Sequence, residues 1–415
     1  FLRSVSHLRN VVSPLSASQE HFEARALHPT SWGRLCCEKT PEGVNIGLRK
    51  YMAAMTVVSR GMRPYEEKKL EDFLKRNLEN DGTYKVFVDG VIYGSTNKPT
   101  KIVQSLKDMR RKDEISHHIN TSTVRYIKEL HINTDRGRLQ RPLIVVQNGK
   151  SKLTKDIIEK LNNGKIDWHD LLKKGIIEYL DAEEEEDSFV SLYSEDLTKE
   201  HTHLEIHPSV ILGLSASLIP FAPNNRGDRV NFGAKMCGQA IGLPGSNYFQ
   251  RPDTKSDVLI YSQKPLVSTM LNDQLKVNTH PYGQNVIIAL MSHQGYNMED
   301  GLIFNKASIE RGLARSFFFR SYTAEEKKYW GIEKDEISIP DKSVSGYRTE
   351  DVYANLGADG IINREVNVQA GDVLVGKISP LRFFGPREGF MMETENRRET
   401  SETVRHGEDG VVDNI

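Results

Sequence analysis

The longest apolar run, Val210 to Pro223, is interrupted by serines and is too short to span a bilayer. Elsewhere short apolar stretches stop at Gly, Pro, Asn or Asp. Such punctuation over 204–320 predicts that the chain mixes sheet and helix there. At 415 residues it predicts roughly two to four domains. The expected class is α+β, multidomain, with mixed sheets and helices and a β-rich C-terminal part. A hydrophobic content of 38% is enough for sizeable cores. The net charge of -1 provides no global basic field, so any nucleic-acid contact must come from locally grouped basic residues. Cys36, Cys37 and Cys237 form no disulfide framework and no C-x-x-C zinc pattern, which fits a reducing, intracellular setting. The start FLRSVSHLRN lacks Met and a signal-peptide apolar core, so the chain reads as an internal piece of something longer or a mature split product.

Local patterns place the elements. Residues 65–80 have apolar residues at helical spacing and end at Asn-Asp-Gly. YKVFVDGVIYG reads as a hairpin, two β-rich runs around Asp-Gly. A basic helix is predicted over 101–112, strands around the turn TDRGR over 124–147, and two helical patterns over 153–180. The run DAEEEED (181–187) reads as an exposed edge. Residues 204–320 alternate apolar runs with turn signals, predicting mixed sheet and helix, and short strands follow after 345.

Four motifs bear on chemistry. GDVLVGK (371–377) has the spacing of a phosphate-binding loop. Its interior favours a strand, and Ile378 stands where Ser or Thr should meet magnesium, so the strand reading is preferred. HTHLEIHP would put His201, His203 and His207 on one strand face, with Glu205 among them; a zinc site would need a fourth ligand or a water, and nothing nearby in sequence insists on one. NNRGDRVNFGAKMCGQA (224–240) gathers Arg226, Arg229 and Lys235 with Asn224, Asn225 and Gln239 among small residues. Arginine forks suit phosphate, and a solvated loop leading into a helix explains the same pattern equally well. GYNMEDG (295–301) sets Glu299 beside Asp300 between two strand-like segments, VIIALMS and LIFN. Magnesium takes one or two carboxylates plus substrate phosphates, so the pair could supply part of a shell but not a two-metal site. The chain contains no D-x-D, and without context an exposed turn is the simpler reading.

Several blocks together resemble one family. SHLRNVVSP, HFEARALHPTSWGRLC, TPEGVNIGL, YLDAEEEE, EIHPSVILGLSASLIPF, GQNVIIALMSHQGYNMEDGLIFNKASIERG, FFRSY and TVRHGEDGVVD resemble the second-largest, β-type subunit of multisubunit DNA-directed RNA polymerase. They occur in the family's order over nearly the whole chain, and YLDAEEEE and EIHPS are similar to archaeal and eukaryotic members. The resemblance implies a layout: 1–45 as the fork region, 46–200 as external domains, 201–322 as the first part of the hybrid-binding domain, and 323–415 as the start of the wall or flap. Two departures stand out. Lys39 replaces an acid of P-x-E-T-P-E-G, and PNNRGDRVN replaces E-H-N-x-S-P-R-N. Aligning on G-A-K-M-x-x-Q-A puts Arg229 at the family's substrate-phosphate arginine, with Arg226 as a nearby competitor.

The resemblance also implies a reaction, nucleotidyl transfer from nucleoside triphosphates onto RNA. The main metal-binding aspartates would belong to the largest subunit. Glu299 and Asp300 would approach the second Mg2+ ion, partly through water. Arg229 would contact the triphosphate. His7, Arg9, Pro41, Asn45, Lys235 and Gln239 would face nucleic acid. The implied partners are the largest subunit, small assembly subunits, DNA template, RNA–DNA hybrid and nucleotides, with no membrane and no zinc in this chain. The implied location is cytoplasmic for an archaeal protein and nuclear for a eukaryotic one. The isolated chain is expected to be inactive. Two competing readings are a nucleic-acid-binding or assembly module without a catalytic group, and a self-contained metal nuclease, which would need a second acidic cluster.

Overall fold

The computed structural model describes residues 2–239, 253–329, 333–381 and 397–415, together with 242, 247, 250 and 251. The chain divides into two compact units, residues 1–240 with 264–279, and residues 241–263 with 280–415.

In the first unit, Pro64 opens the helix Pro64–Asn77, and Glu66 reaches back to the Arg63 amide at 2.8 Å. Proline at the first helical position loses no hydrogen bond, and the returning carboxylate satisfies a free donor. Leu70 and Leu74, four residues apart, turn one face into the core. The predicted hairpin pairs Tyr84–Val88 with Val91–Thr96. Its turn residues Asp89 (φ 48) and Gly90 (φ 80) are both left-handed, as a two-residue turn between twisted strands requires. Helix Pro99–Arg111 buries Ile102, Leu106 and Arg110 on one stripe. With Glu129–Asn133 and Asn120–Val124 these strands form a four-stranded sheet in which Tyr84–Val88 and Glu129–Asn133 run parallel. Its core comprises Leu70, Leu74, Val86, Ile102, Leu106, Ile115, Ile119, Leu130 and Ile132.

The strand Leu139–Gln147 organises a second sheet, flanked antiparallel by Ile177–Leu180 and His203–Leu204. The strands expected around TDRGR are therefore present but belong to different sheets. The two helical patterns over 153–180 are Lys155–Asn162 and Trp168–Lys173. Leu171, Leu172, Ile176, Ile177 and Tyr179 fill the core beside this sheet.

The run 181–187 is not an exposed edge. It forms the short helix Ala182–Glu186, capped by Asp181, whose carboxylate accepts from the Glu184 amide at 2.9 Å. Asp181 and Glu184 are buried. Arginines from distant segments neutralise the run. Arg110 bonds Glu184 at 2.6 and 2.8 Å and Glu178 at 2.8 Å. Arg138 pairs with Asp181 at 2.7 Å, while Glu185 is shared by Arg34 and Arg141.

The three histidines of HTHLEIHP do not share a face, because only His203–Leu204 is strand. His203 is buried against Glu178 at 2.6 Å, His201 stacks on Phe189, and His207 accepts from the Ser209 amide that opens a short 3-10 turn.

In the second unit, Lys255–Leu259 pairs antiparallel with Ser316–Arg320. The C-terminal part is β-rich, as expected, with short strand pairs around Tyr353, Leu356, Ile362, Val368, Val373, Leu374 and Val404. GDVLVGK supplies the strand Val373–Val375 and, with Lys377, the start of the strand Lys377–Pro380, in keeping with the strand reading. The segments flanking GYNMEDG, expected to be strand-like, carry no strand among the described residues. Val286, Ile287, Ile288, Leu290 and Met291 are exposed. β-propensity expresses itself only where a neighbouring strand supplies hydrogen bonds and packing, and none pairs with this run among the described residues.

Candidate functional site

The basic cluster lies on the helix Gly227–Met236 and the turn after it. Val230 and Ala234 are buried with Cys36, Ala216 and Ala222, in a core of small side chains that lets the helix approach closely. A Cβ on Gly227 would meet the Glu38 carboxylate at 2.7 Å. Burial of that face leaves the other in solvent, where Arg229, Phe232, Lys235, Met236 and Gln239 are all exposed. Arg229 lies over Phe232, 5.3 Å from the ring centroid, and no carboxylate pairs with it among the described residues. Arg226 differs. It is the residue before the first turn, and its guanidinium donates to Asp228 at 3.1 Å. Lys235 sits 3.7 Å from Glu42.

The TPEG loop is tied to this helix. The Thr40 amide donates to Asn231 Oδ1 at 3.2 Å, and Thr40 Oγ1 accepts from the Gly47 amide at 2.8 Å. The Arg25 guanidinium donates to the carbonyls of Val44 (2.7 Å) and Ile46 (2.9 Å). Gly47 has φ +71, and a Cβ there would collide with the Arg25 backbone. Left-handed geometry and close approach together demand glycine. Pro41 and Asn45 are half-buried in this loop, with Asn45 closing the short 3-10 turn Gly43–Asn45. Sequence spacing gave no sign of Asn231 or Arg25, because their partners are backbone groups, which carry no residue-type signal.

His7 is exposed in the last turn of the helix Leu2–Leu8. Arg9, just beyond it, turns inward. Its guanidinium donates to the carbonyls of Ala53 (2.6 Å), Thr56 (3.0 Å) and Ala54 (3.3 Å), and burial lowers its pKa from the ordinary arginine value. Its charge is thus engaged with the protein's own backbone.

In the second unit, Glu299 and Asp300 occupy an exposed turn built by Asn297. The Asn297 side chain accepts from the His293 amide at 2.9 Å and donates to the Met291 carbonyl at 2.6 Å. Glu299 is left-handed at φ 53, an uncommon conformation for a non-glycine residue. Neither acid pairs with a cation among the described residues. No group of three or more His, Cys, Asp or Glu able to hold a metal occurs among them either. Two adjacent, solvated, unpaired carboxylates are suited to part of a magnesium shell completed by water and phosphate.

Comparison with known proteins identifies the lineage. Residues 1–58, 86–147, 168–208 and 215–415 match, in that order, the families described as RNA polymerase Rpb2, domains 3, 4, 5 and 6. The DNA-directed RNA polymerase subunit Rpo2 of Sulfolobus acidocaldarius is 43% identical over 431 residues, covering 100% of this chain and 38% of that protein. The DNA-directed RNA polymerase II subunit RPB2 of Encephalitozoon cuniculi is 37% identical, covering 100% of this chain and 38% of that protein. The corresponding subunit 2 of Arabidopsis thaliana is 36% identical, covering 100% and 37%. The chain spans little more than a third of the length of these relatives. The four consecutive matches and the identity along the whole chain establish that it belongs to the family of second-largest, Rpb2-type subunits of DNA-directed RNA polymerase.

Proposed function

We propose that the chain contributes to the active centre and the RNA–DNA hybrid site of a multisubunit DNA-directed RNA polymerase. Residues 1–45 act as the fork, 46–200 as external domains, 201–322 as the first part of the hybrid-binding domain, and 323–415 as the start of the wall. The observation that carries the proposal is Arg229, exposed on a packed helix with no carboxylate partner among the described residues. Such a guanidinium can grip a triphosphate through two parallel charge-assisted bonds without first breaking an ion pair.

Lys235 and Gln239 extend the same exposed face toward the hybrid, and His7, Pro41 and Asn45 face nucleic acid from the fork. Arg9 holds the fork from within. Glu299 and Asp300 serve the magnesium that accompanies the nucleotide, partly through water, while the largest subunit supplies the remaining aspartates. When bound, that ion neutralises charge on the transferring phosphate. The hybrid is recognised through backbone and shape, since a polymerase must accept every template. The other implied partners are small assembly subunits, DNA template and nucleoside triphosphates. The compartment follows the organism, cytoplasmic in an archaeon and nuclear in a eukaryote. No helix among the described residues is long and apolar enough to cross a membrane.

Affinity purification of the tagged chain from its source tests this reading. Recovery of a larger subunit carrying a three-aspartate loop, with RNA synthesis dependent on both, is expected. A chain recovered without it, or a complex whose synthesis is unchanged by loss of this chain, would favour an assembly module or an unrelated role.

A further inference from the structure

Lys39, the residue that departs from the acidic position of the resembled pattern, has a defined place in the first unit. Its ammonium donates to Ser6 Oγ at 2.7 Å and to Ser215 Oγ at 3.0 Å, and lies 4.2 Å from the centroid of the Tyr51 ring. Both serines are buried, and no carboxylate pairs with Lys39 among the described residues. Burial lowers its pKa from the ordinary lysine value. A partly buried ammonium without a counter-charge is costly unless its donors are satisfied, so these contacts are what hold it there.

The three partners belong to three segments. Ser6 precedes His7 on the helix Leu2–Leu8, and Tyr51 ends the strand Arg49–Tyr51. Ser215 leads into the turn Ala216–Leu218, whose Ala216 packs with Val230 and Ala234 of the arginine-bearing helix. Lys39 itself lies two residues before Pro41. One side chain therefore joins the helix that carries His7 and the loop that carries Pro41 to a turn packed against the helix of Arg229.

We propose that Lys39 is a positioning residue of the fork. By binding Ser6 and Ser215 and resting on Tyr51, it sets the helix that carries His7 and the loop that carries Pro41 against the support of the arginine helix. Both then meet the same stretch of nucleic acid. This inference rests on the polymerase reading above and deepens it.

The test uses the assembled polymerase on a preformed RNA–DNA scaffold, with rate and amplitude of single-nucleotide addition followed against nucleotide concentration. Lys39→Met keeps the stem and removes the charge and both donors. A misplaced fork lowers the fraction of complexes ready for nucleotide, so apparent KM should rise about three- to tenfold with limiting rate and amplitude nearly unchanged. The Ser6→Ala/Ser215→Ala pair should give a rise of the same order. Adding it to Lys39→Met should give little more, because the groups act as one unit. Lys39→Arg should recover part of the loss. A fall in amplitude alone, unchanged kinetics, or additive effects of the lysine and serine changes would overturn the proposal. If Lys39→Met does not assemble, the serine pair decides the question on the same terms. Arg229→Ala is run alongside. Its indifference would overturn the substrate-arginine reading alone, whereas an impaired Arg229→Ala beside unimpaired Lys39→Met and serine variants would overturn the Lys39 proposal alone.

Discussion

Arg226 and Arg229 stand three residues apart, and their surroundings separate them. Arg226 donates to Asp228, so a phosphate would compete with a carboxylate already in place. Arg229 lies over the face of Phe232, and no carboxylate pairs with it among the described residues. It also lies ten residues before Gln239, the register that the resemblance requires. Arg229→Ala should therefore impair nucleotide use more than Arg226→Ala. Loss of a charged donor to phosphate is expected to cost about 1.5–3 kcal/mol, roughly ten- to a hundredfold in nucleotide efficiency. Arg229→Lys should recover only part, because a point charge cannot reproduce the planar fork. Single-nucleotide addition on a preformed scaffold checks this, since initiation is bypassed. A larger defect for Arg226→Ala would mean that the register through PNNRGDRVN is wrong.

At the scale of elements, the helix Ala182–Glu186 ties the four-stranded sheet and the sheet around Leu139–Gln147 together through charge. Arg110, from the helix over the first sheet, is clamped between Glu184 and Glu178, the latter on a strand of the second. Glu184→Ala should cost about 3–5 kcal/mol in urea unfolding, because it removes one partner from a buried pair. An effect below about 1 kcal/mol would show that the network contributes little. The pH dependence has a definite sign. Burial pushes the Glu178 carboxyl up, but the opposing effects of Arg110, the His203 bond and Arg111 prevail and hold it well below the ordinary carboxylate range. Glu184 is lowered too, with Arg110 and Lys107 outweighing burial. For groups depressed in the folded state, the stabilisation is complete above the unfolded carboxylate pKa of about 4.3 and is lost as pH falls through the folded values. Unfolding free energy should therefore decline on acidification below about pH 4–5, and less steeply in Glu184→Ala.

This network also marks the limit of what could be read from sequence. The Asp-Gly hairpin and the helices expected over 65–80 and 101–112 were legible because their signals are local: a turn dipeptide between β-rich runs and apolar residues at helical spacing. The acidic run misled because the arginines that neutralise it, Arg34, Arg110, Arg138 and Arg141, lie forty or more residues away in sequence. The strand-like run 286–292 misled for a related reason, since β pattern does not name a partner strand. At the candidate site, the residue types were legible. The inward turn of Arg9 and the ties of Thr40 to Asn231 and of Lys39 to Ser6 and Ser215 were not, since each depends on contacts between segments distant in the chain.

At the scale of the whole molecule, the chain is proposed to carry part of a reaction centre. Glu299 and Asp300 are two exposed acids on one turn, and no third metal-ligating side chain joins them among the described residues. On the proposed reading their chemistry depends on aspartates from another subunit, so the purified chain given template, nucleotides and magnesium should make no RNA. The most direct measurement is a magnesium titration of single-nucleotide addition by the assembled polymerase, with and without Glu299→Ala/Asp300→Ala. The predicted result is a higher magnesium and nucleotide requirement for the double variant with scaffold binding nearly unchanged. Superimposable titrations would contradict the account and leave the two acids as a solvent-facing turn.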